Sequence, residues 1–147
     1  LFDYFYNAVL VEERYLMVHG GLSPSINGIQ DLAHAHLAHP EQDFLEDLLW
    51  SDPNDTVREV SYSPRGAGKL FGKNVTEKVL RKLNVKILIR GHEPCGEGFK
   101  LNHDGKVLTL FSRKGSPYFN AHGAYLQLPL SKKFENAQQL VPWLHKF

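Results

Sequence analysis

Tyr15-Leu16-Met17-Val18-His19-Gly20-Gly21 is an apolar run that stops on a histidine and two glycines. Continuous apolar character over four residues suits a strand buried on both faces, as in a parallel sheet. The glycines free the backbone to turn sharply, and Ser23-Pro24-Ser25 continues the loop. The design returns at Val85-Lys86-Ile87-Leu88-Ile89-Arg90-Gly91-His92. Residues 15–18 and 85–89 thus read as two strands, each delivering one imidazole at its carboxyl end. Each histidine stands beside a glycine that lets the backbone approach closely. Ligands of open α/β sheets gather beyond such strand ends. Two neutral imidazoles from neighbouring ends make half of a metal site, so His19 and His92 are the first candidates for chemistry.

Working outward, residues 41–50 predict a helix. Pro40 suits its first turn, acids crowd its start, and Phe44, Leu45, Leu48 and Leu49 form one stripe. Residues 29–38 have weaker helical character. Residues 54–70 are polar and rich in Gly, Pro and Ser, which predicts a long ordered loop of the kind that tends to be functional. A second helix covers 74–83, capped by Asn74 and Glu77, with Val75, Val79, Leu80 and Leu83 buried. Asn84 closes it in a left-handed conformation. A helix running straight into strand 85–89 argues for a βαβ layout. Further on, Phe99 and Leu101, a turn at Asp104-Gly105, and residues 107–111 predict a hairpin. A last strand covers 123–130, and the helical spacing of Ala137, Leu140, Val141 and Leu144 is interrupted by Pro142. Residues 1–7 are aromatic-rich, the last turns of a helix or an irregular packing segment.

The 147 residues are one domain's worth of chain, enough to bury roughly two thirds of the unfolded surface. With 42% apolar and 22% charged residues and a net charge of +1, nothing calls for nucleic acid or a membrane surface as partner. One cysteine, Cys95, excludes an internal disulfide and fits a reducing cytoplasm, the expected location. No apolar run approaches the ~18 residues of a membrane span. The chain opens at Leu1 in mid-pattern and its only methionine is Met17, so it reads as part of a longer protein.

Two further residues stand out, and one of them has the chemistry of an anion site. Arg65, in Ser63-Pro64-Arg65-Gly66-Ala67-Gly68, presents a guanidinium between small neighbours, which suits bidentate capture of phosphate. Asp52, in Trp50-Ser51-Asp52-Pro53, reads by itself as a turn former. Residues 66–70 only imitate a phosphate-binding P-loop, since Ser63 stands at its first glycine and Leu70 at its hydroxyl. His34, His36 and His39 would not share one helix face. His103, His122 and His145 are isolated, and Cys95 reads as a buried inert thiol.

His19-Gly20-Gly21-Leu22-Ser23-Pro24, Leu48-Leu49-Trp50-Ser51-Asp52-Pro53, Arg65-Gly66 with Phe71-Gly72, Arg90-Gly91-His92-Glu93 and Thr109-Leu110-Phe111-Ser112 follow one another at telling intervals. In that order they resemble the C-terminal half of the phosphoprotein phosphatase family of serine/threonine phosphatases. The resemblance covers about residues 8–130. It implies an α/β fold, the calcineurin-like metallophosphoesterase β-sandwich flanked by helices, with residues 1–147 as the C-terminal part of a single domain truncated at its N-terminus. The implied reaction is metal-dependent hydrolysis of phosphate monoesters, foremost phosphoserine and phosphothreonine in proteins, by a hydroxide bridging two divalent ions. Manganese is the first expectation for those ions, with iron or zinc as alternatives. By the same resemblance His19 and His92 bind one of the metals, Arg65 holds the phosphate, and Asp52 supports the rim.

The family's motifs GDxHG, GDxxDRG and GNHE are absent from this sequence, so these residues alone are expected to be inactive and to bind metal poorly. At the fourth residue after Ser112, where relatives carry an active-site tyrosine, stands Ser116; Tyr118 is the candidate to replace it. Arg113-Lys114 in the same loop could add phosphate attraction. The sequence leaves two other readings open: hydrolysis of dinucleoside polyphosphates or other small phosphoesters, and a non-catalytic phosphatase-like binding module. Regulatory subunits cannot be read from it.

Overall fold

The two apolar runs lie side by side at the centre of the molecule. The computed structural model describes residues 5–147. A hairpin of β1 (Ala8–Val11) and β2 (Tyr15–Val18) leads to α1 (Ile29–Ala33) and α2 (Phe44–Trp50). Next come β3 (Asp52–Pro53), β4 (Val60–Tyr62), β5 (Lys69–Phe71), α3 (Lys73–Lys82) and β6 (Ile87–Arg90). β7 (Phe99–Asn102), β8 (Val107–Leu110), β9 (Ala124–Leu126) and β10 (Leu144–Lys146) complete the chain. Five strands form one sheet in the order β1-β2-β6-β8-β7. β2, β6 and β8 are parallel neighbours, with Val18 opposite Arg90 and Arg90 opposite Thr109. β1 and β7 pair antiparallel at the two edges.

Alternation along the strands sorts the core into two layers. On one face Leu16, Val18, Leu88 and Val107 pack with Leu32, Phe44, Leu48, Val75 and Val79 of the helices. On the other, Tyr15, Ile87, Ile89 and Leu108 meet Phe134, Ala137 and Leu140, with Leu126, Trp143 and Leu144 against the same cluster. β9 and β10 form a small second sheet over that face. The predicted βαβ arrangement and α/β sandwich are therefore present, with two strands in the second sheet among the described residues.

Several boundaries differ from expectation. Residues 54–70 are not one loop: they contain β4 and the start of β5, which pair antiparallel, and β3 pairs parallel with β5. Strands of two or three residues, a buried Asp-Pro pair in β3 and exposed side chains in β4, leave no apolar alternation to read. α2 begins at Phe44 with Asp43 as its N-cap residue, and the Asp43 carboxylate accepts from Lys69 Nζ at 2.9 Å instead of capping a backbone N–H. α3 begins at Lys73, with Gly72 as its N-cap; Asn74 instead donates to Glu59 Oε1 at 2.8 Å. α1 ends at Ala33, so His34, His36 and His39 lie exposed in turns, not on a helix. The last strand stops at Leu126, where its short partner β10 runs out. The segment before β10 is a 3-10 helix, Ala137–Trp143, a form that accommodates Pro142. Asn84 is left-handed as expected, with φ 54°. The reading of residues 1–7 falls largely outside the described residues. No helix is long and apolar enough to cross a membrane, among the described residues.

His103 is buried in the turn between β7 and β8. Its Nδ1 lies 2.8 Å from Thr76 Oγ1 on α3, and its ring stands edge-on to Phe71. Burial lowers its pKa, outweighing the Asn54 carbonyl and the carboxylates of Asp55 and Asp104. The unfolded chain therefore binds this proton more readily than the folded one. The histidine's share of stability is complete above about pH 6.5 and lost as pH falls toward the lower folded value. Urea unfolding at about pH 5 and about pH 7.5 should show a rise in stability with pH that His103→Gln reduces; an equal rise in both chains would refute the assignment.

Candidate active site

Because β2 and β6 are adjacent and parallel, their carboxyl ends open on the same side of the sheet. The Gly91 N–H donates to the His19 carbonyl at 3.1 Å. His92 Nδ1 then faces His19 Nε2 at 3.1 Å, with the rings edge-on and their centroids 5.0 Å apart. His92 itself carries a positive φ of 68°. Such a backbone is sparsely populated by non-glycine residues and tends to persist at functional positions.

Of the roles expected of these glycines, close backbone approach holds beside His19, at Gly20, but not beside His92, and sharp turning does not hold. Gly91 has no tight neighbour, a Cβ there lying no closer than 3.8 Å to another atom. Gly20 and Gly21 do not adopt positive φ, so turning freedom is not their role. They seat the loop on α2: Gly20 N–H donates to Leu48 O at 2.6 Å and Gly21 N–H to Asp47 O at 3.0 Å. A Cβ on Gly20 would stand 2.4 Å from the Leu49 carbonyl carbon, and one on Gly21 would stand 2.2 Å from Phe71 Cε1.

Beneath the histidines lies a buried ionic cluster centred on Arg90. Its Nε donates to Gly20 O at 2.6 Å, Nη1 to Glu93 Oε2 at 2.7 Å, and Nη2 to Asp52 Oδ1 at 2.8 Å and Ser51 O at 3.3 Å. Asp52 is also buried, and its other oxygen accepts from Arg65 Nε at 2.8 Å. Arg65 extends from the turn between β4 and β5 and is 39% exposed. Neither of its terminal nitrogens makes a hydrogen bond to a described residue, so both are open to a ligand. Asp47 supports the same region, accepting from Ser51 Oγ at 2.7 Å and from Lys69 Nζ at 2.9 Å.

Burial pushes the His92 pKa down to about 4; Arg90, Arg65 and His19 press in the same direction, while Asp52 opposes. The His19 pKa is lowered by burial and by Arg90, again against Asp52. Both rings are neutral near pH 7 and have a lone pair to offer. Asp52 and Arg65 act electrostatically on His92, so the four predicted residues share one neighbourhood.

Tyr118 stands apart in what it touches. It is half exposed, its ring packs edge-on against Phe111, and its N–H bonds Gly115 O within its own loop. Arg113 donates from that loop to Ser116 O at 2.8 Å. Cys95 is buried as expected and its pKa raised by that burial. Two site residues had no role in the sequence-based reading: Arg90, and Trp50, whose half-exposed indole stands edge-on to His92 at 5.4 Å. The signal for Arg90 was available, since a charged residue interrupts an otherwise apolar strand.

The histidine pair fits two ligands of one metal ion. Nitrogens bound to a common ion at about 2.0–2.1 Å are separated by about 2.9–3.4 Å for right-angled to tetrahedral arrangements, and the pair stands at 3.1 Å. His92 Nε2, on the far side of its ring, is buried without a hydrogen-bond partner among the described residues. Two ligands fall short of the three or four that zinc-type sites use. Among the described residues no cluster of three or more His, Cys, Asp or Glu could hold a metal ion.

A parallel sheet with two histidines at adjacent strand ends, backed by an aspartate–arginine cluster, agrees with a sequence match over residues 1–96 to the calcineurin-like phosphoesterases. The chain belongs to that family, one that uses divalent metals. A protein of Schizosaccharomyces pombe named as a serine/threonine-protein phosphatase is 37% identical over 114 residues, which is 76% of this chain and 37% of that protein. A solved structure from Saccharomyces cerevisiae, described as a protein serine/threonine phosphatase with similarity to human phosphatase PP5, superposes with a TM-score of 0.69 at 25% identity. The superposition covers 96% of this chain and 45% of that one. The resemblance drawn from the five motifs is thus borne out. The chain spans less than half the length of either relative.

Proposed function

We propose that this chain carries part of the active site of a metal-dependent phosphomonoesterase acting on phosphoserine and phosphothreonine in proteins. The observation that carries the reading is the juxtaposition of two neutral imidazoles, nitrogen to nitrogen at 3.1 Å, with an outward-facing guanidinium held by Asp52. His19 through Nε2 and His92 through Nδ1 would hold one divalent ion, with manganese as first choice. An ion bound there would supply Lewis-acid stabilisation of phosphoryl charge.

The protein's own groups have separable tasks. Arg65 offers its terminal nitrogens to two phosphate oxygens, a geometry that a planar guanidinium favours. Asp52 fixes the Nε side of that guanidinium. The exposed face of Trp50 gives the carbon skeleton of a phosphorylated residue an apolar wall beside His92. The remaining metal ligands and a proton donor for the leaving group have no counterpart among these residues, so the 147-residue chain alone is inactive in this reading.

The test is an assay of the full-length gene product with manganese, on a phosphoserine peptide and on diadenosine tetraphosphate. Release of phosphate from the peptide, lost in His19→Ala and His92→Ala, is the expected outcome. Cleavage of the nucleotide alone would overturn the protein-phosphatase reading, and cleavage of neither would favour a binding module.

A further inference from the structure

Arg90 is wholly buried and cannot reach an anion bound at the surface. Four of its five N–H groups are nevertheless committed, to Gly20 O, Glu93, Ser51 O and Asp52. These partners lie on the loop after His19, the turn after His92, and the junction of α2 with β3. Arg90 therefore fixes the relative placement of every segment that brings a predicted residue to the site, except the turn that bears Arg65. It reaches that turn through one carboxylate: Asp52 Oδ1 takes Arg90 Nη2 and Asp52 Oδ2 takes Arg65 Nε, both at 2.8 Å.

A short carboxylate gripped at one oxygen has its plane and its second oxygen placed as well. The second oxygen sets the direction of the Arg65 Nε–H bond. Because the guanidinium is planar, that direction in turn sets where the two free terminal nitrogens point. We propose that Arg90 is a positioning residue: acting through Asp52, it aims the Arg65 guanidinium at the phosphate monoester dianion the site receives. The inference rests on the reading of Arg65 as a phosphate-holding group. Lysine cannot replace Arg90 here, since an ammonium lacks the fork that serves two carboxylates and two carbonyls at once.

The test follows the Arg65 Nε–Hε signal by nitrogen-15 NMR in the full-length protein. Hydrogen exchange at that proton reports the bond to Asp52 directly. In Arg90→Lys we expect exchange at Arg65 Hε to quicken about tenfold, the order of one lost charge-assisted hydrogen bond, while backbone amides of β2 and β6 keep their protection. Asp52→Asn should act alike, and the double variant should add nothing to the larger single effect, as for residues in one chain of contacts. Affinity for orthophosphate should fall about tenfold in Arg90→Lys. Unchanged Arg65 Hε exchange in folded Arg90→Lys, or additive effects in the double variant, would overturn the proposal. Should Arg90→Lys not fold, Glu93→Ala, which frees Nη1 from a partly exposed partner, should quicken the same exchange to a smaller degree; no change there overturns it too. If the native protein binds no orthophosphate, the phosphate-holding role fails, while Hε exchange still decides the coupling of Arg90 to Arg65.

Discussion

Asp52→Ala is expected to remove about 3–5 kcal/mol of folding stability, the range for breaking a buried ion pair from one side. Arg90 has no exposed side-chain surface and Asp52 has 6%, so water cannot replace the missing carboxylate. Glu93 stays 2.7 Å from Arg90 Nη1 and is 23% exposed, which places the loss toward the lower end of that range. Domains hold only about 5–15 kcal/mol in all, so the variant would unfold at much lower urea. Arg65→Ala is the informative contrast. It breaks the other bond to the same carboxylate, but Arg65 is 39% exposed and its pairing is screened. Its cost should stay within about 1 kcal/mol. Urea midpoints that ranked the two variants equally would refute the division into a buried anchor and an exposed working arm.

Gly20→Ala should be nearly as damaging, at about 3 kcal/mol or more. The added carbon would stand 2.4 Å from Leu49 C, 2.5 Å from Trp50 N and 2.6 Å from Leu49 O. All three are backbone atoms of α2, so no side chain can swing aside, and the loop after His19 must lift from the helix. That movement would also break the 2.6 Å bond from Gly20 N–H to Leu48 O and disturb the carbonyl that receives Arg90 Nε. Gly96→Ala is the control, since a Cβ there meets nothing within 4 Å and should change stability by no more than about 0.5 kcal/mol. A thermal melt of Gly20→Ala indistinguishable from that control would show that the close approach to α2 is not required.

These two sites also mark how far the sequence could be read. β2 and β6 were legible because their apolar character is continuous, which a strand covered on both faces requires. α3 was legible from its helical stripe, and Asn84 from its tolerance of left-handed backbone. The small sheet of β3, β4 and β5 was not, since its strands exist by pairing with residues up to 18 positions away, Asp52 with Leu70 among them. Gly20 was rightly expected to let the backbone approach closely, but neither it nor Gly21 supplies the sharp turn expected of the pair. Their smallness answers to α2 and Phe71, contacts that no local pattern encodes. His19, His92, Asp52 and Arg65 could be picked out by residue type and motif order. Arg90 showed in the sequence only as a charge interrupting an apolar strand; its linking of parts of the chain up to 70 residues apart was not legible there.

The left-handed backbone at His92 narrows what anyone redesigning this position could put there. With φ at 68°, β-branched and bulky side chains meet strain before their chemistry is consulted, whereas Asn and Asp tolerate the conformation. Exchange of this histidine for another group able to bind a metal ion is therefore biased toward short oxygen donors, and a variant library at this codon would be filtered first by torsion and only afterwards by affinity. The peptide geometry acts as a selector on ligand identity, independent of any ion.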